Sequence, residues 1–240
     1  DIFNRDKGSA PSNEMYKFFD RDNNTLVLRP DITPSIARCV AKYYADEELP
    51  VRLCYTGNTY TNTLKLQGKL KEVTQIGAEL VNDDSSAADA EIIATVIDCF
   101  NEIGISDFQI EIGQIDYFKG LVAESGISED EENQIKEYIH IKNFFGLEEY
   151  VDALDISESL KKAFVAFDSL FGGISMLDKA EGYVSNETSL EAVKRLRRVY
   201  AALECYGYQD HISFDLGMLD GYNYYTGIIF RGYTYGTGDA

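Results

Sequence analysis

Residues 72–80 of this chain read Glu72-Val73-Thr74-Gln75-Ile76-Gly77-Ala78-Glu79-Leu80, and their polarity alternates. Because successive side chains of a β-strand point to opposite faces, this pattern predicts a strand with two different faces. One face carries Gln75, Gly77 and Glu79, and the other carries Ile76, Ala78 and Leu80. Two interpretations stay open: the polar face is a platform for a ligand, or it simply faces water.

Alternating and β-branched stretches predict further strands on both sides of this one. The predicted strands lie at 15–19, 25–29, 51–60, 108–113, 212–217 and 224–233. The first two form a hairpin, since Asp22-Asn23-Asn24 is typical of a tight turn. A helix is predicted to begin at Thr33, because Pro34 is tolerated in the first turn of a helix.

The middle of the chain has a helical pattern throughout. From residue 118 to about 206, apolar residues recur at helical spacing, and Ser128 and Glu131 have the spacing of a capping box. We therefore expect an α+β fold, with a discontinuous strand-rich core at 1–117 and 207–240 and a helical insertion at 118–206. The first and last elements look incomplete, so we expect the core to continue beyond both ends.

The charge of the chain disfavours some partners. With 41 acidic and 22 basic residues, the formal net charge is -19, and such a surface repels nucleic-acid phosphates. The densest basic run, Lys194 to Arg198, is predicted to be a solvated helix face. No apolar run approaches the ~20 residues that span a bilayer, so no membrane partner is expected.

Cysteine and histidine usage indicates neither a metal nor a cofactor. Cys39, Cys54, Cys99 and Cys205 are far apart and form no C-x-x-C pair. We expect them to be buried free thiols in a reducing cytoplasm. The two histidines stand alone, and no glycine-rich phosphate-binding fingerprint occurs.

Four segments, in order, resemble the catalytic core of the class II histidyl-tRNA synthetases. They are Met15 to Asp20, Leu28-Arg29-Pro30-Asp31-Ile32-Thr33, Arg52 to Gly57 with Gln75 to Glu79, and Asn223 to Gly227. The helical segment falls between the third and the fourth, as it does in that family. The resemblance covers nearly the whole chain and implies a class II synthetase-like antiparallel sheet flanked by helices.

The same resemblance implies a pocket for L-histidine. Asp31 and Thr33 match positions that hold the α-ammonium group, and Gln75 matches a polar contact in the pocket. Glu79 matches an acidic residue near the imidazole and the ammonium group. From the residues alone, Asp31 could instead cap the helix that begins near Thr33.

The imidazole side of that pocket is implied by an aromatic pair. Tyr224 and Tyr225 match the two tyrosines that line the imidazole site in the family. Carboxylates, a ring-nitrogen partner and an aromatic wall are the groups that a histidine zwitterion requires. Ordinary strand aromatics remain the alternative for both tyrosines.

Two departures from the synthetase pattern affect the ATP site. By the resemblance, Thr61 and Asp220 stand where the synthetases carry arginines. One of these arginines binds the α-phosphate of ATP and the carboxylate of the substrate. Adenylate formation develops charge on that phosphate, so losing a positioned cation raises the barrier by several kcal/mol. The third class II motif would lie beyond Ala240.

A synthetase core with an amino-acid pocket and a broken ATP site resembles the regulatory subunits of ATP phosphoribosyltransferase. That family implies a non-catalytic cytoplasmic protein that assembles with a short-form catalytic subunit, self-associates as a homodimer and takes histidine as its feedback effector. Two alternatives stay open. One is an active histidyl-tRNA synthetase, and the other is a scaffold for another ligand, since Asp31 replaces the family's more usual Glu.

Overall fold

The computed structural model describes residues 14–62, 70–219 and 225–234. The chain divides into two compact units, residues 1–84 and residues 85–240. This division differs from the predicted core and insertion, whose boundaries stay a prediction.

The first unit contains two hairpins and a helix. Its elements are β1 (Lys17–Phe19), β2 (Thr25–Val27), α1 (Thr33–Tyr43), β3 (Val51–Tyr60) and β4 (Glu72–Val81). Both strand pairs are antiparallel. At the β1–β2 turn, the Asp20 carboxylate accepts hydrogen bonds from the backbone N–H of Asp22 and Asn24, each at 2.8 Å, as the turn chemistry predicts.

Helix α1 begins without a side-chain cap. Its N-cap is Ile32, and Pro34 occupies the first turn, where its missing N–H leaves no helical bond unmade. Ile32 is buried, and its Cδ1 lies 3.1 Å from where a Cβ on Gly57 of β3 would be. This contact fixes the start of α1 against the β3–β4 hairpin.

The second unit combines a small sheet with seven helices in its described part. The helices are α2 (Ser86–Glu102), α3 (Ile115–Ser125), α4 (Glu129–His140), α5 (Phe144–Asp152), α6 (Glu158–Val165), α7 (Met176–Gly182) and α8 (Glu187–Tyr206). The strands are β5 (Phe108–Gln114), β6 (Phe171–Gly172), β7 (Ile212–Asp215) and β8 (Ile228–Thr234).

These four strands form a mixed sheet in the order β6-β7-β5-β8. The β5–β7 pair is parallel and the other two pairs are antiparallel. The sequence resemblance implied an antiparallel sheet, and the parallel pair is a departure from that expectation. A parallel pair needs a long crossover connection, and the chain from α3 to α8 provides it. The α+β class is confirmed.

A dry core fills the second unit. The alternating apolar side chains of β5, Phe108, Ile110 and Ile112, are buried on one face of the sheet. Phe118 meets Phe164 edge to face at 5.9 Å between ring centroids. Such pairs add to the burial of apolar area, which dominates the stability of a domain.

Two sequence expectations have different outcomes, one in this unit and one that concerns cysteines of both units. The predicted capping box is present: the Ser128 side chain accepts from the backbone N–H of Glu131, and the Glu131 carboxylate accepts from the Ser128 N–H. The expectation of buried thiols is wrong, because Cys54, Cys99 and Cys205 are exposed and Cys39 is only partly buried. Apolar neighbours in sequence misled that prediction, since neighbours along a helix or strand point to different sides. No helix among the described residues is long and apolar enough to cross a membrane.

Candidate functional site

The β3–β4 hairpin of the first unit carries the polar face that the sequence predicts. Glu79 pairs with Leu53, Gly77 with Tyr55 and Gln75 with Gly57. Gln75 and Glu79 are half-buried, whereas Ile76 on the opposite face is 81% exposed. A strand whose polar face simply faces water would show the reverse, so these exposures favour the ligand platform.

Helix α1 brings a second polar group to this face. Thr33 Oγ1 donates a hydrogen bond to Glu79 Oε1 at 2.7 Å, across 46 residues of sequence. The N-terminal end of a helix carries partial positive charge, which favours a carboxylate nearby. Two of the residues that the family resemblance assigned to histidine are therefore in direct contact.

Asp31 lies next to this pair and serves the turn before the helix. Its Oδ1 accepts from the backbone N–H of Thr33 at 3.0 Å, which closes a turn of the chain ahead of α1; the N-cap of α1 is Ile32, so Asp31 does not cap the helix. That bond uses one of the two carboxylate oxygens. Asp31, Thr33 and Glu79 thus form a continuous chain of hydrogen bonds at the start of α1.

An aromatic ring that the sequence alone does not single out lies on the same face. A Cβ on Gly77 would be only 2.2 Å from Cζ of Tyr55, so the Tyr55 ring lies across the glycine. Gln75 Nε2 donates to Tyr55 Oη at 3.4 Å. Glycine between two polar residues was the available signal, but the strand register was needed to identify Tyr55 as the ring above it.

The arrangement suits a small polar ligand with donor groups and a flat ring. Glu79 retains acceptor capacity after its bond to Thr33, and Gln75 offers both a donor and an acceptor. The Tyr55 ring supplies an apolar surface between them. An ammonium group or an imidazole N–H is the kind of partner that this carboxylate would bind.

The other predicted site residues belong to the second unit or are not described. Tyr225 lies before β8, is 48% exposed, and its carbonyl accepts from Lys119 Nζ at 3.5 Å. Tyr224 and Asp220 lie outside the described residues. Thr61, where the family resemblance implies an arginine in the synthetases, continues the β3–β4 hairpin by donating its backbone N–H to the Lys71 carbonyl at 3.0 Å.

The three arginines of the densest basic run of the chain pair with carboxylates within the second unit. Arg195 pairs with Asp89 at 2.8 Å. Arg197 bonds to Asp178 at 2.6 Å and to Glu181 at 3.2 Å. The last arginine of the run likewise contacts a carboxylate of α8. The run thus lies on a helix face whose arginines form ion pairs, which leaves less positive charge to bind nucleic-acid phosphates. No cluster of three metal-ligating side chains occurs within 14–62, 70–219 and 225–234.

Comparison with known sequences identifies relatives over the full chain. Residues 1–240 match the sequence model of the histidyl-tRNA synthetase family. The ATP phosphoribosyltransferase regulatory subunit of Acetivibrio thermocellus is 42% identical over 238 residues, which is 99% of this chain and 57% of that protein. The regulatory subunit of Clostridium acetobutylicum is 39% identical over 241 residues, with 100% and 59% covered. The chain therefore spans less than two thirds of the length of these relatives.

Solved structures share the fold. The ATP phosphoribosyltransferase regulatory subunit/histidyl-tRNA synthetase from Bacillus halodurans superposes with a TM-score of 0.89 at 33% identity, over 97% of this chain and 61% of that one. Histidyl-tRNA synthetase from Nostoc gives 0.75 at 20% identity, over 92% and 52%. The class II synthetase-like fold is confirmed, and so is the resemblance to the regulatory subunits. Since a family model matches the whole chain, this protein belongs to the histidyl-tRNA synthetase family.

Proposed function

We propose that this chain is the histidine-sensing part of a non-catalytic regulatory subunit, which acts with a separate short-form catalytic subunit of ATP phosphoribosyltransferase. The names of the relatives support the subunit assignment. The observation that carries the sensing role is the bond from Thr33 to Glu79, which joins two residues of the implied histidine pocket on a sheltered polar face. The proposal includes a cytoplasmic protein that forms a homodimer.

In this proposal the ligand is L-histidine, and six residues bind it. Asp31, Thr33, Gln75 and Glu79 are supported by the hairpin geometry described above. Tyr224 and Tyr225 are supported by the family resemblance. An amino acid that cannot satisfy Glu79 and Gln75 would leave these half-buried polar groups without partners, which is a basis for selectivity.

Feedback inhibition then follows from differential affinity. Histidine binds one arrangement of the regulatory–catalytic complex better than the other, and so it shifts the population towards the inhibited arrangement. A coupling free energy of about 1–3 kcal/mol, or about 5- to 150-fold in affinity, is ordinary for such a device. Thr61 and Asp220, which replace the synthetase arginines, support a role without aminoacylation, because the ATP phosphates lack their positioned cations.

The test is an activity assay of the full-length protein mixed with its catalytic subunit. We expect L-histidine to inhibit the complex that contains the wild-type protein, and Glu79→Gln to remove most of this inhibition without changing the uninhibited rate. Glu72→Gln is the matched control, because Glu72 lies on the opposite face of the same strand and its substitution removes the same negative charge.

Two outcomes would contradict the proposal. One is equal inhibition of the wild-type and Glu79→Gln complexes. The other is histidine-dependent exchange of pyrophosphate into ATP by the protein alone, which would make it an active synthetase instead.

A further inference from the structure

Arg29 is held at two points against the end of β3. Its carbonyl accepts from the backbone N–H of Tyr60 at 3.0 Å, and its Nε donates to the Asn58 carbonyl at 2.7 Å. An arginine side chain carries about 2 kcal/mol of rotamer entropy when free. Two anchors at the main chain and at Nε therefore orient the guanidinium group in advance.

The oriented guanidinium lies on the polar face of the hairpin. A Cβ on Gly57 would be 2.7 Å from Nη2 of Arg29 and 3.4 Å from Cζ, so only glycine leaves room for this position. Gly57 is the cross-strand partner of Gln75. Directly opposite residues of a strand pair have their Cβ positions about 5 Å apart. Arg29 is consequently a neighbour of Gln75 on the candidate platform.

The two Nη atoms of Arg29 are available to a ligand. Within residues 14–62, 70–219 and 225–234 they have no hydrogen bond or ion pair, and the residue is exposed. This is unusual in a chain with a net charge of -19, where Arg195 and Arg197 of α8 each pair with a carboxylate. A fixed guanidinium with both terminal nitrogens open is suited to a planar or tetrahedral oxyanion.

We propose that Arg29 binds the anionic group of the ligand that occupies the β3–β4 platform. This inference rests on the proposed function for the identity of the ligand. The platform otherwise offers Glu79, Gln75 and hydroxyl groups, which suit an ammonium group and ring nitrogens but provide no cation for an α-carboxylate. Arg29 supplies that cation from the segment between β2 and α1, and a phosphate group could use the same site.

The test compares three probes by isothermal titration of the full-length protein: L-histidine, L-histidinamide, which lacks the carboxylate, and inorganic phosphate. For a carboxylate site, the wild-type protein binds histidine about tenfold or more tightly than histidinamide. Arg29→Gln removes this preference and leaves the affinity for histidinamide within about twofold. For a phosphate site, histidine and histidinamide bind alike, and Arg29→Gln loses phosphate binding. Either result supports the assignment.

Arg38→Gln controls for the change in net charge, because Arg38 is an exposed cation of α1. Arg29→Lys keeps the positive charge but loses the paired Nη donors of the guanidinium group. It replaces Arg29→Gln in the test if that variant does not fold. We expect Arg29→Lys to show an intermediate preference for histidine over histidinamide. If wild type binds histidine and both Arg29 variants keep the full preference over histidinamide, the Arg29 assignment is wrong while the proposed function stands. If wild type binds none of the three probes, both are wrong.

Discussion

The two units of the chain use their side chains for different purposes. Nearly all buried apolar residues of the described chain belong to the second unit, whereas Met15, Ile32 and Val51 are those of the first. In the first unit, the closely fitted side chains are polar ones placed over glycines, as with Tyr55 over Gly77. We infer that the second unit carries most of the folding stability, whereas the first carries the polar side chains of the β3–β4 platform.

The largest expected effect is on the stability of the second unit. Phe164→Ala removes a fully buried ring that packs against Phe118, and it should lower the free energy of unfolding by about 3–5 kcal/mol, because a cavity is left in a dry core. Phe145→Ala is the control, since that ring is 72% exposed and its loss should change stability by less than about 0.5 kcal/mol. Urea unfolding measures both, and equal effects of the two variants would contradict the contrast.

Substitution of a glycine in the first unit should lower histidine affinity, which the core substitution above does not address. Gly77→Ala places a methyl group 2.2 Å from Cζ of Tyr55, so the ring must shift from its present position over the strand. We expect at least a tenfold loss of histidine affinity by calorimetry and a stability cost of about 1–3 kcal/mol. Gly182→Ala, at the end of α7, meets nothing within 4 Å and should change neither quantity by much. Unchanged histidine binding by Gly77→Ala would remove Tyr55 from the site.

The helices of the two units also differ in capping: α1 of the first unit begins without a side-chain cap, whereas α8 of the second unit has one. In the second unit, Asn186 caps α8: its Oδ1 accepts from the N–H of Ser189 at 2.7 Å, and its Nδ2 donates to Glu124 at 2.9 Å. Asn186→Ala should lower thermal stability by about 1 kcal/mol. Asn101→Ala, in the exposed last turn of α2, should be close to neutral. A neutral Asn186→Ala would mean that packing alone holds the start of α8.

The smallest expected effect is a dependence on pH in the second unit. Burial, followed by the charge of Asp215, raises the pKa of the Glu111 carboxyl, while a hydrogen bond from Tyr233 and the charges of Lys142 and Arg231 lower it. A carboxyl that holds its proton more tightly when folded contributes stability below its unfolded pKa, and this contribution is lost as the pH rises through the raised value.

Glu111→Gln stays neutral and should escape this loss. Its melting temperature relative to wild type should therefore rise from about pH 4 to about pH 7. The corresponding gain in the free energy of unfolding should stay below about 1 kcal/mol, because the Glu111 carboxyl is partly exposed and its charge is screened by solvent. Glu204→Gln, at an exposed position of α8, controls for net charge. A difference that shrinks as the pH rises would contradict the assigned cause.

The sequence predicted those features that depend on local chemistry. The helical character of 118–206, the capping box at Ser128 and the strands that became β3 and β4 follow from periodicity and capping residues. Features that depend on long-range pairing were not accessible. The two-residue strand β6 lies inside a helical stretch and exists only through its pairing with β7, and the parallel β5–β7 pair was missed for the same reason.

The same division holds for the candidate site. Thr33, Gln75 and Glu79 could be named because a sequence resemblance carries residue types, and the structure brings Thr33 and Glu79 into contact. Arg29 and Tyr55 were part of quoted motifs but received no role, because their positions over Gly57 and Gly77 depend on strand register and on the fold of a separate segment. The sequence gives the type of each residue, whereas the position of its side chain over another strand depends on the fold.

The measurement that tests the central claim most directly is isothermal titration of the protein with L-histidine, with and without ATP. We expect saturable binding of L-histidine by the wild-type protein that ATP does not change, and loss of the binding heat in Glu79→Gln but not in Glu72→Gln. Histidine binding that requires ATP, or that survives unchanged in Glu79→Gln, would contradict the claim that the polar face of the first unit is a histidine sensor.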